Sequence, residues 1–287
     1  MSLKLRKLSY ALGAEVCDID VTGVSEASFG EIYRAFLDHG ILLFRNQNIS
    51  REQHIEFSRR FGELDRHDAL PRDRHPDYPE ILLVTNEPKP DGSPSDSRYT
   101  GRQWHSDMSF TTVPSLGSLL RGITIPEVGG DTVFANMYLA YETLSDGMKA
   151  LIADLHGIHL SGTRKINNEE SGSTRAEEQK KLNPPIAQPL VRVHPETGRK
   201  ALYLGDKVKR FDGLSEEESR PLIQYLNEHA TRFEFIYRHQ WRANDIVAWD
   251  NRCTMHLALG DFDETQRRHM ERTTVLGTPS GYVVASA

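Results

Sequence analysis

Cysteine is nearly missing from this chain: only Cys17 and Cys253 occur, so no disulfide framework supports the fold. That usage fits a reducing compartment. No apolar run reaches the roughly eighteen residues that a bilayer-spanning helix needs. The opening segment MSLKLRKLSYALGAEV lacks the apolar core of a secretory leader. Basic charge is not in excess either: 35 Lys and Arg against 41 Asp and Glu give a formal net charge of −6. A general nucleic-acid binder needs a basic footprint, which that balance does not offer. These absences lead to the expectation of a soluble cytoplasmic protein with neither a nucleic-acid nor a membrane partner. A homo-oligomer, dimer or tetramer, is left open.

What is present is an ordinary globular composition, with 38% hydrophobic and 26% charged residues in 287. No internal repeat is visible. SFGEIYRAFLDHG predicts a helix, capped at Ser28 with Glu31 three residues on and stopped at Gly40. ILLFRN, 41–46, predicts a buried strand, and Ser50 with Gln53 caps a second helix ending at Gly62. EILLVT, 80–85, predicts a further strand. LGSLLRGITI reads as a strand and GGDTVFANM as a turn into a helix near 138–155. SEEESRPLIQYLNEHA reads as a surface helix, and RFEFIYRHQW, DIVAWDN and HMERTTVLG as late strands. Two polar, Pro- and Gly-bearing stretches, 86–103 and 161–185, are candidate lid loops. Strands dominate and do not alternate steadily with helices, so a doubly wound parallel sheet is disfavoured. The expectation is a mainly β fold with peripheral helices: a double-stranded β-helix, or jelly roll. It would form a single domain over 1–287, with a helical and loop insert over roughly 136–235.

The chemistry gathers at QWHSDMSF, residues 103–110. Were this a strand, His105, Asp107 and Ser109 would share one face and Trp104, Ser106, Met108 and Phe110 the other. Of the 12 histidines most sit in ordinary contexts, among them His39, His54, His194, His229 and His239. His256 differs, because it follows a buried strand that runs into Asp250, Asn251 and Arg252. Two histidines and one carboxylate can bind zinc or ferrous iron. In QRRHMERTTVLG, Arg268, Met270 and Arg272 alternate onto one strand face, with Arg267 and His269 on the other. An arginine pointing into a barrel is costly unless it meets an anion, and two such arginines suggest two anions.

Taken in order, ILLFRNQNISREQHIEFSRRFGEL, WHSD, GGDT, AWDNRCTMH and RRHMERTTVLG resemble the taurine dioxygenase and 2,4-D dioxygenase (TauD/TfdA) family of iron(II)- and 2-oxoglutarate-dependent dioxygenases. The resemblance covers nearly the whole chain, and the late segment is similar to members that cleave phenoxypropionate herbicides. It implies that His105, Asp107 and His256 are the Fe(II) ligands. It implies that Arg268 and Thr132 hold 2-oxoglutarate, with O2 as the co-reactant. Arg272 then faces the acidic group of the primary substrate, and His67 matches a substrate-binding histidine. Two positions depart from the taurine enzyme: Leu70 stands for a tyrosine and Gly101 for an asparagine. A third, Leu257, stands where phenoxy-acid enzymes often carry arginine. The implied activity is hydroxylation of a small organic acid, a carboxylate or sulfonate with an apolar body. Such a reaction often ends in C–O or C–S cleavage, with release of succinate and CO2. A zinc hydrolase using the same three ligands, or a jelly-roll acid-binding protein without turnover, are the competing classes.

Overall fold

The structure is a computed structural model that describes residues 3–89, 91–95, 97–161, 165–166, 169–170 and 181–284. Helix α1 (Glu26–His39) ends where Gly40 turns left-handed at φ 69° and donates its N–H to the Phe36 carbonyl. Its cap is Ser25, whose side chain accepts from the Ser28 amide, and not Ser28 itself. Serines stand three apart there, and periodicity alone does not separate starts one turn apart. Helix α2 (Arg51–Arg59) has the expected reciprocal box between Ser50 and Gln53.

The strands β1 (Leu5–Lys7), β2 (Ala14–Val16), β3 (Ile41–Phe44), β4 (Leu82–Thr85) and β5 (Ser115–Thr124) lead to β6 (Thr132–Asn136). Next come helices α3 (Met137–Glu142) and α4 (Asp146–Ile152), then β7 (His156–His159) and the short β8 (Lys165–Ile166) and β9 (Glu169–Glu170). Strands β10 (Ile186–Pro189), β11 (Val191–Val193), β12 (Lys200–Leu202) and β13 (Val208–Phe211) precede helix α5 (Glu216–Ala230). The chain returns through β14 (Ile236–His239), β15 (Ile246–Asp250), β16 (Thr254–Ala258), β17 (His269–Leu276) and β18 (Tyr282–Val283).

A seven-stranded sheet, ordered β1-β2-β3-β15-β5-β17-β4, and a three-stranded sheet, ordered β14-β6-β16, form the two walls of a jelly roll. Alternation along the strands explains the packing. Leu42, Phe44, Leu119, Ile246 and Ala248 turn outward onto Phe29, Phe36, Phe57 and Phe61 of the early helices and the turn after them. Ile41, Leu43, Leu120, Val247, Trp249 and Met270 turn inward onto Phe134 of β6. The inward face of β17 is therefore the face of Met270 and Arg272, and Glu271 points to the helix side, where Arg51 pairs with it at 2.7 Å.

Three local expectations need correction. GGDT does not open a helix: Thr132 begins β6, and the helical stretch after it breaks into α3 and α4, the second capped by Ser145. The break follows from competition, since Ser145 offers its hydroxyl to the Met148 amide and starts a new helix. Residues 103–110 are not a strand but a single bridge at His105 followed by a turn, with Met108 at φ 53°. No described helix is long and apolar enough to cross a membrane.

Candidate active site

His105 and His256 are brought together by main chain. The His105 N–H donates to the His256 carbonyl at 3.0 Å, and the His256 N–H donates back at 2.8 Å. Their rings lie 4.1 Å apart, centroid to centroid. The turn after His105 then swings Asp107 into the same space. His105 Nε2 is 3.7 Å from Asp107 Oδ1, and His256 Nε2 is 3.9 Å from Asp107 Oδ2. One ligating atom from each of the three residues lies within 4.8 Å of the others, which suits a single small cation. The convergence predicted for His105 and Asp107 is present, produced by a turn rather than by strand alternation.

The protonation states favour ligation. Burial pushes His105 down to about 4 and holds His256 well below its ordinary value, so both imidazoles are neutral near pH 7. His105 Nδ1–H donates to the Gln103 carbonyl at 2.7 Å, which leaves the Nε2 lone pair on the Asp107 side. Burial alone would raise the Asp107 carboxyl. Arg272, the two histidines and the Ser118 hydroxyl outweigh it and hold that carboxyl well below the usual range. A closed ring of hydrogen bonds orients it. Ser118 donates to Asp107 Oδ2 at 2.7 Å, Asn251 donates to Ser118 at 3.0 Å, and the Asp107 amide donates to Asn251 Oδ1 at 3.0 Å. Trp249 Nε1–H donates to that same Asn251 oxygen at 3.0 Å. On the other side Arg272 Nη1 donates to Asp107 Oδ1. Ser118 and Asn251 carry no short motif, and only their long-range contacts reveal them.

Arg268 is buried at 7% exposure, while Arg267 beside it is exposed, as the alternation predicts. Its Nε–H donates to the Gly130 carbonyl at 3.1 Å, and no carboxylate pairs with it among the described residues. Burial, with the Arg102 charge nearby, pushes its guanidinium down to about 10. Gly130, at φ 69°, permits the approach: a Cβ there would lie 3.2 Å from Arg268 Cδ and Nε. The Thr132 hydroxyl accepts from Trp241 Nε1–H at 3.0 Å, so its own proton remains to be donated. Asn86 brackets the arginine's main chain, accepting from the Arg268 amide at 2.8 Å and donating to its carbonyl at 3.2 Å. The expected loop 86–103 thus begins tied to Arg268, and most of the second loop, 161–185, lies outside the described residues.

His67 is fully buried at φ 57°. Burial and then the Arg272 charge push it down to about 3, and its Nδ1 has no hydrogen-bond partner among the described residues, with the Asp65 carboxylate 3.9 Å away. Gly101 lies against His105: a Cβ there would sit 3.7 Å from His105 Cε1. Leu70 is half-buried, and its amide closes a turn onto the His67 carbonyl at 2.9 Å. His194, read as ordinary, donates its Nε2–H to Asp250 Oδ2 at 3.0 Å in a separate ionic cluster.

A sequence model of the taurine catabolism dioxygenase TauD, TfdA family matches residues 4–274. The chain belongs to the TauD/TfdA family. It is 33% identical to the alpha-ketoglutarate-dependent 2,4-dichlorophenoxyacetate dioxygenase of Cupriavidus pinatubonensis, over 96% of this chain and 98% of that protein. It is 33% identical to the (S)-phenoxypropionate/alpha-ketoglutarate-dioxygenase of Sphingobium herbicidovorans, over 95% of this chain and 94% of that one. An alkylsulfatase of Acinetobacter baylyi is 35% identical over 96% of this chain and 85% of its own length. Among solved structures, AAD-2 in complex with Mn(II) and N-oxalylglycine superposes with a TM-score of 0.83 at 34% identity, covering 96% of this chain and 99% of that one. This TauD/TfdA protein is a jelly-roll, alpha-ketoglutarate (2-oxoglutarate)-dependent dioxygenase that works with Fe(II) and O2 on a small organic substrate. The ligand set fits that metal, being two neutral imidazoles and one ionised carboxylate converging in a buried site.

Proposed function

We propose that His105, Asp107 and His256 hold one Fe(II), and that Arg268 with the Thr132 hydroxyl holds the far carboxylate of 2-oxoglutarate. Bound iron and 2-oxoglutarate supply the oxidant that converts a substrate C–H to C–OH, with succinate and CO2 as co-products. The chain's own residues orient and exclude. Asn251 and Ser118 fix the Asp107 carboxylate, and Gln103 fixes the His105 ring. Arg272 and His67 line the side from which the substrate's acidic group arrives. The observation that carries this reading is Arg268: a buried cation with no carboxylate partner among the described residues, in the same jelly roll as three converging metal ligands. A zinc hydrolase has no use for such a group.

The primary substrate in this reading is a small organic anion with an apolar body, a carboxylate, sulfonate or sulfate ester, phenoxyalkanoates included. The names of the relatives support that range. Taurine is a poor substrate, because Leu70 and Gly101 supply neither of two polar groups. Each unpaired buried polar group costs roughly 1–3 kcal/mol, so two cost about 10² to 10⁴ in specificity. Residues 1–287 are read as one cytoplasmic catalytic domain that uses no nucleic-acid or membrane partner, with a dimer or tetramer open to test. The deciding experiment is a succinate-release screen over taurine, alkyl sulfonates, alkyl sulfates and phenoxyalkanoates, with the lilac absorption of the anaerobic Fe(II)–2-oxoglutarate complex followed in parallel. Turnover of an apolar-bodied acid above taurine is expected. Efficient taurine turnover overturns the substrate reading, and a colourless, succinate-free enzyme overturns the site assignment.

A further inference from the structure

Arg272 is already committed to Asp107, so a second cation beside the metal ligands bears on how an acidic substrate is held. Lys207 lies in the turn between β12 and β13, and that turn is bolted to the metal-binding segment. The Asp206 amide donates to the Trp104 carbonyl at 2.8 Å, and the Trp104 amide donates to Asp206 Oδ2 at 2.8 Å. Gly205, at φ 133°, makes the contact possible, since a Cβ there would lie 2.6 Å from the Trp104 oxygen and 3.3 Å from His105 Cα. The Lys207 ammonium sits 4.4 Å from the centroid of the Phe110 ring, on the turn that carries Asp107. No carboxylate pairs with it among the described residues.

Nearby, three polar side chains are buried, two of them with polar atoms left over. Arg192 lies 4.9 Å from the Tyr203 ring centroid, and the His159 ring lies 5.5 Å from the same ring. Both His159 nitrogens and Arg192 Nη1 have no hydrogen-bond partner among the described residues, although His159 and Arg192 are only 1% and 5% exposed, and Tyr203, 2% exposed, sets its hydroxyl against the Arg192 guanidinium. Buried polar atoms in folded proteins are nearly always satisfied, so several orphans in one place call for a ligand. Burial, and then the Lys207 and Arg192 charges, push His159 down to about 3, which leaves it neutral beside two cations. Burial also draws Lys207 down to about 8, with Asp107 opposing that shift from the metal side. Two positive charges, a hydroxyl and a neutral imidazole, with no carboxylate paired to either cation among the described residues, make an oxyanion subsite.

We propose that Lys207, backed by Arg192, His159 and Tyr203, receives the acidic head of the primary substrate. The assignment rests on the dioxygenase reading of the adjacent site and adds to it, beside Arg272, a second residue that recognises charge. Lys207 acts on binding and leaves the 2-oxoglutarate end at Arg268 untouched.

The test uses the full chain loaded anaerobically with Fe(II) and 2-oxoglutarate. 2-Phenoxypropionate, hexyl sulfate, the neutral 2-phenoxypropionamide and inorganic sulfate serve as probes. Lys207→Met, Lys207→Arg, Tyr203→Phe and the exposed-surface control Lys200→Met are compared with wild type. Lys207→Met raises KM for the organic anions about 30-fold or more and leaves KM for 2-oxoglutarate and the lilac band unchanged. Lys207→Arg recovers most of that loss, Tyr203→Phe gives a smaller rise, and the amide shows no dependence on residue 207. Thermal protection by each probe is measured alongside, as a readout independent of turnover. An unchanged KM or unchanged protection by the organic anions in Lys207→Met overturns the proposal. So does protection of the wild type by inorganic sulfate alone, which would mark a site for a free anion, or by no anion at all. Loss of the lilac band in wild type strikes the dioxygenase site itself and is read separately.

Discussion

Arg252 and Arg268 are both buried, at 2% and 7% exposure, and their surroundings are opposite. Arg252 is saturated by the protein. Its Nε and Nη2 donate to the two Asp250 oxygens at 2.8 and 2.7 Å, and Nη1 reaches Glu196. Against burial, those carboxylates raise its already high pKa. Among the described residues Arg268 has one carbonyl and no paired acid, and burial lowers it to about 10. The same side chain thus works as structure where its charge is closed within the chain, and as a receptor where its charge is left open. Asp107 stands between the two cases, because Arg272 and Ser118 hold it in the free chain and it still faces two imidazoles.

The largest effect expected is at that intermediate residue. Asp107→Ala removes a ligand and strands Arg272, so turnover falls by more than the 10- to 100-fold typical of losing a group that only orients a ligand. Iron content after anaerobic loading falls with it, and wild-type iron and turnover would remove Asp107 from the site. Next comes Arg268→Ala, which lowers 2-oxoglutarate affinity by about 10² to 10³. Its Tm holds or rises, because an unpaired buried charge is gone, and Arg267→Ala does neither. Arg252→Ala behaves conversely. It costs about 3–5 kcal/mol of stability in denaturant unfolding, because the buried Asp250 carboxylate loses its cationic partner and keeps only His194 and the residue-252 amide. The folded fraction keeps its KM for 2-oxoglutarate, and a raised KM at unchanged stability would erase the contrast. The smallest effect is on the acid limb. Burial raises the Asp250 carboxyl, but Arg252 and His194 outweigh it and hold the group below its ordinary 3.8. A lowered folded-state pKa stabilises above the unfolded value and is lost as pH falls through the folded one. Asp250→Asn therefore flattens the loss of stability below that value, and an unaltered acid limb would show that the pair contributes none of it.

Residue types and spacing carried the site further than they carried local structure. His105, Asp107, His256, Arg268 and Arg272 are legible because each is a costly residue in an apolar setting, and cost implies a partner. The alternation that turns Arg268 inward and Arg267 outward holds in the structure. The strand through 103–110 does not, because period-2 patterning cannot register a left-handed residue such as Met108. The cap read at Ser28 lies at Ser25, three residues earlier, because a Ser-to-Glu spacing of three does not fix which turn comes first. Ser118, Asn251 and Lys207 were illegible for another reason. Their meaning lies in contacts made across 11 and 144 residues of chain to Asp107, and in a glycine contact that brings the Lys207 turn against Trp104.

The reciprocal peptide hydrogen bonds between His105 and His256 have a thermodynamic consequence. On the proposed assignment, backbone sets the spacing of two of the three ligands, so loading the metal freezes few torsions and releases little folding energy. In small zinc domains the reverse holds, and chelation unfolds the chain. Here the expected outcome is that a chelator empties the centre without melting the barrel, which thermal unfolding with and without the chelator checks. Affinity for the ion then depends on proton competition at three side chains rather than on the entropy of ordering a loop.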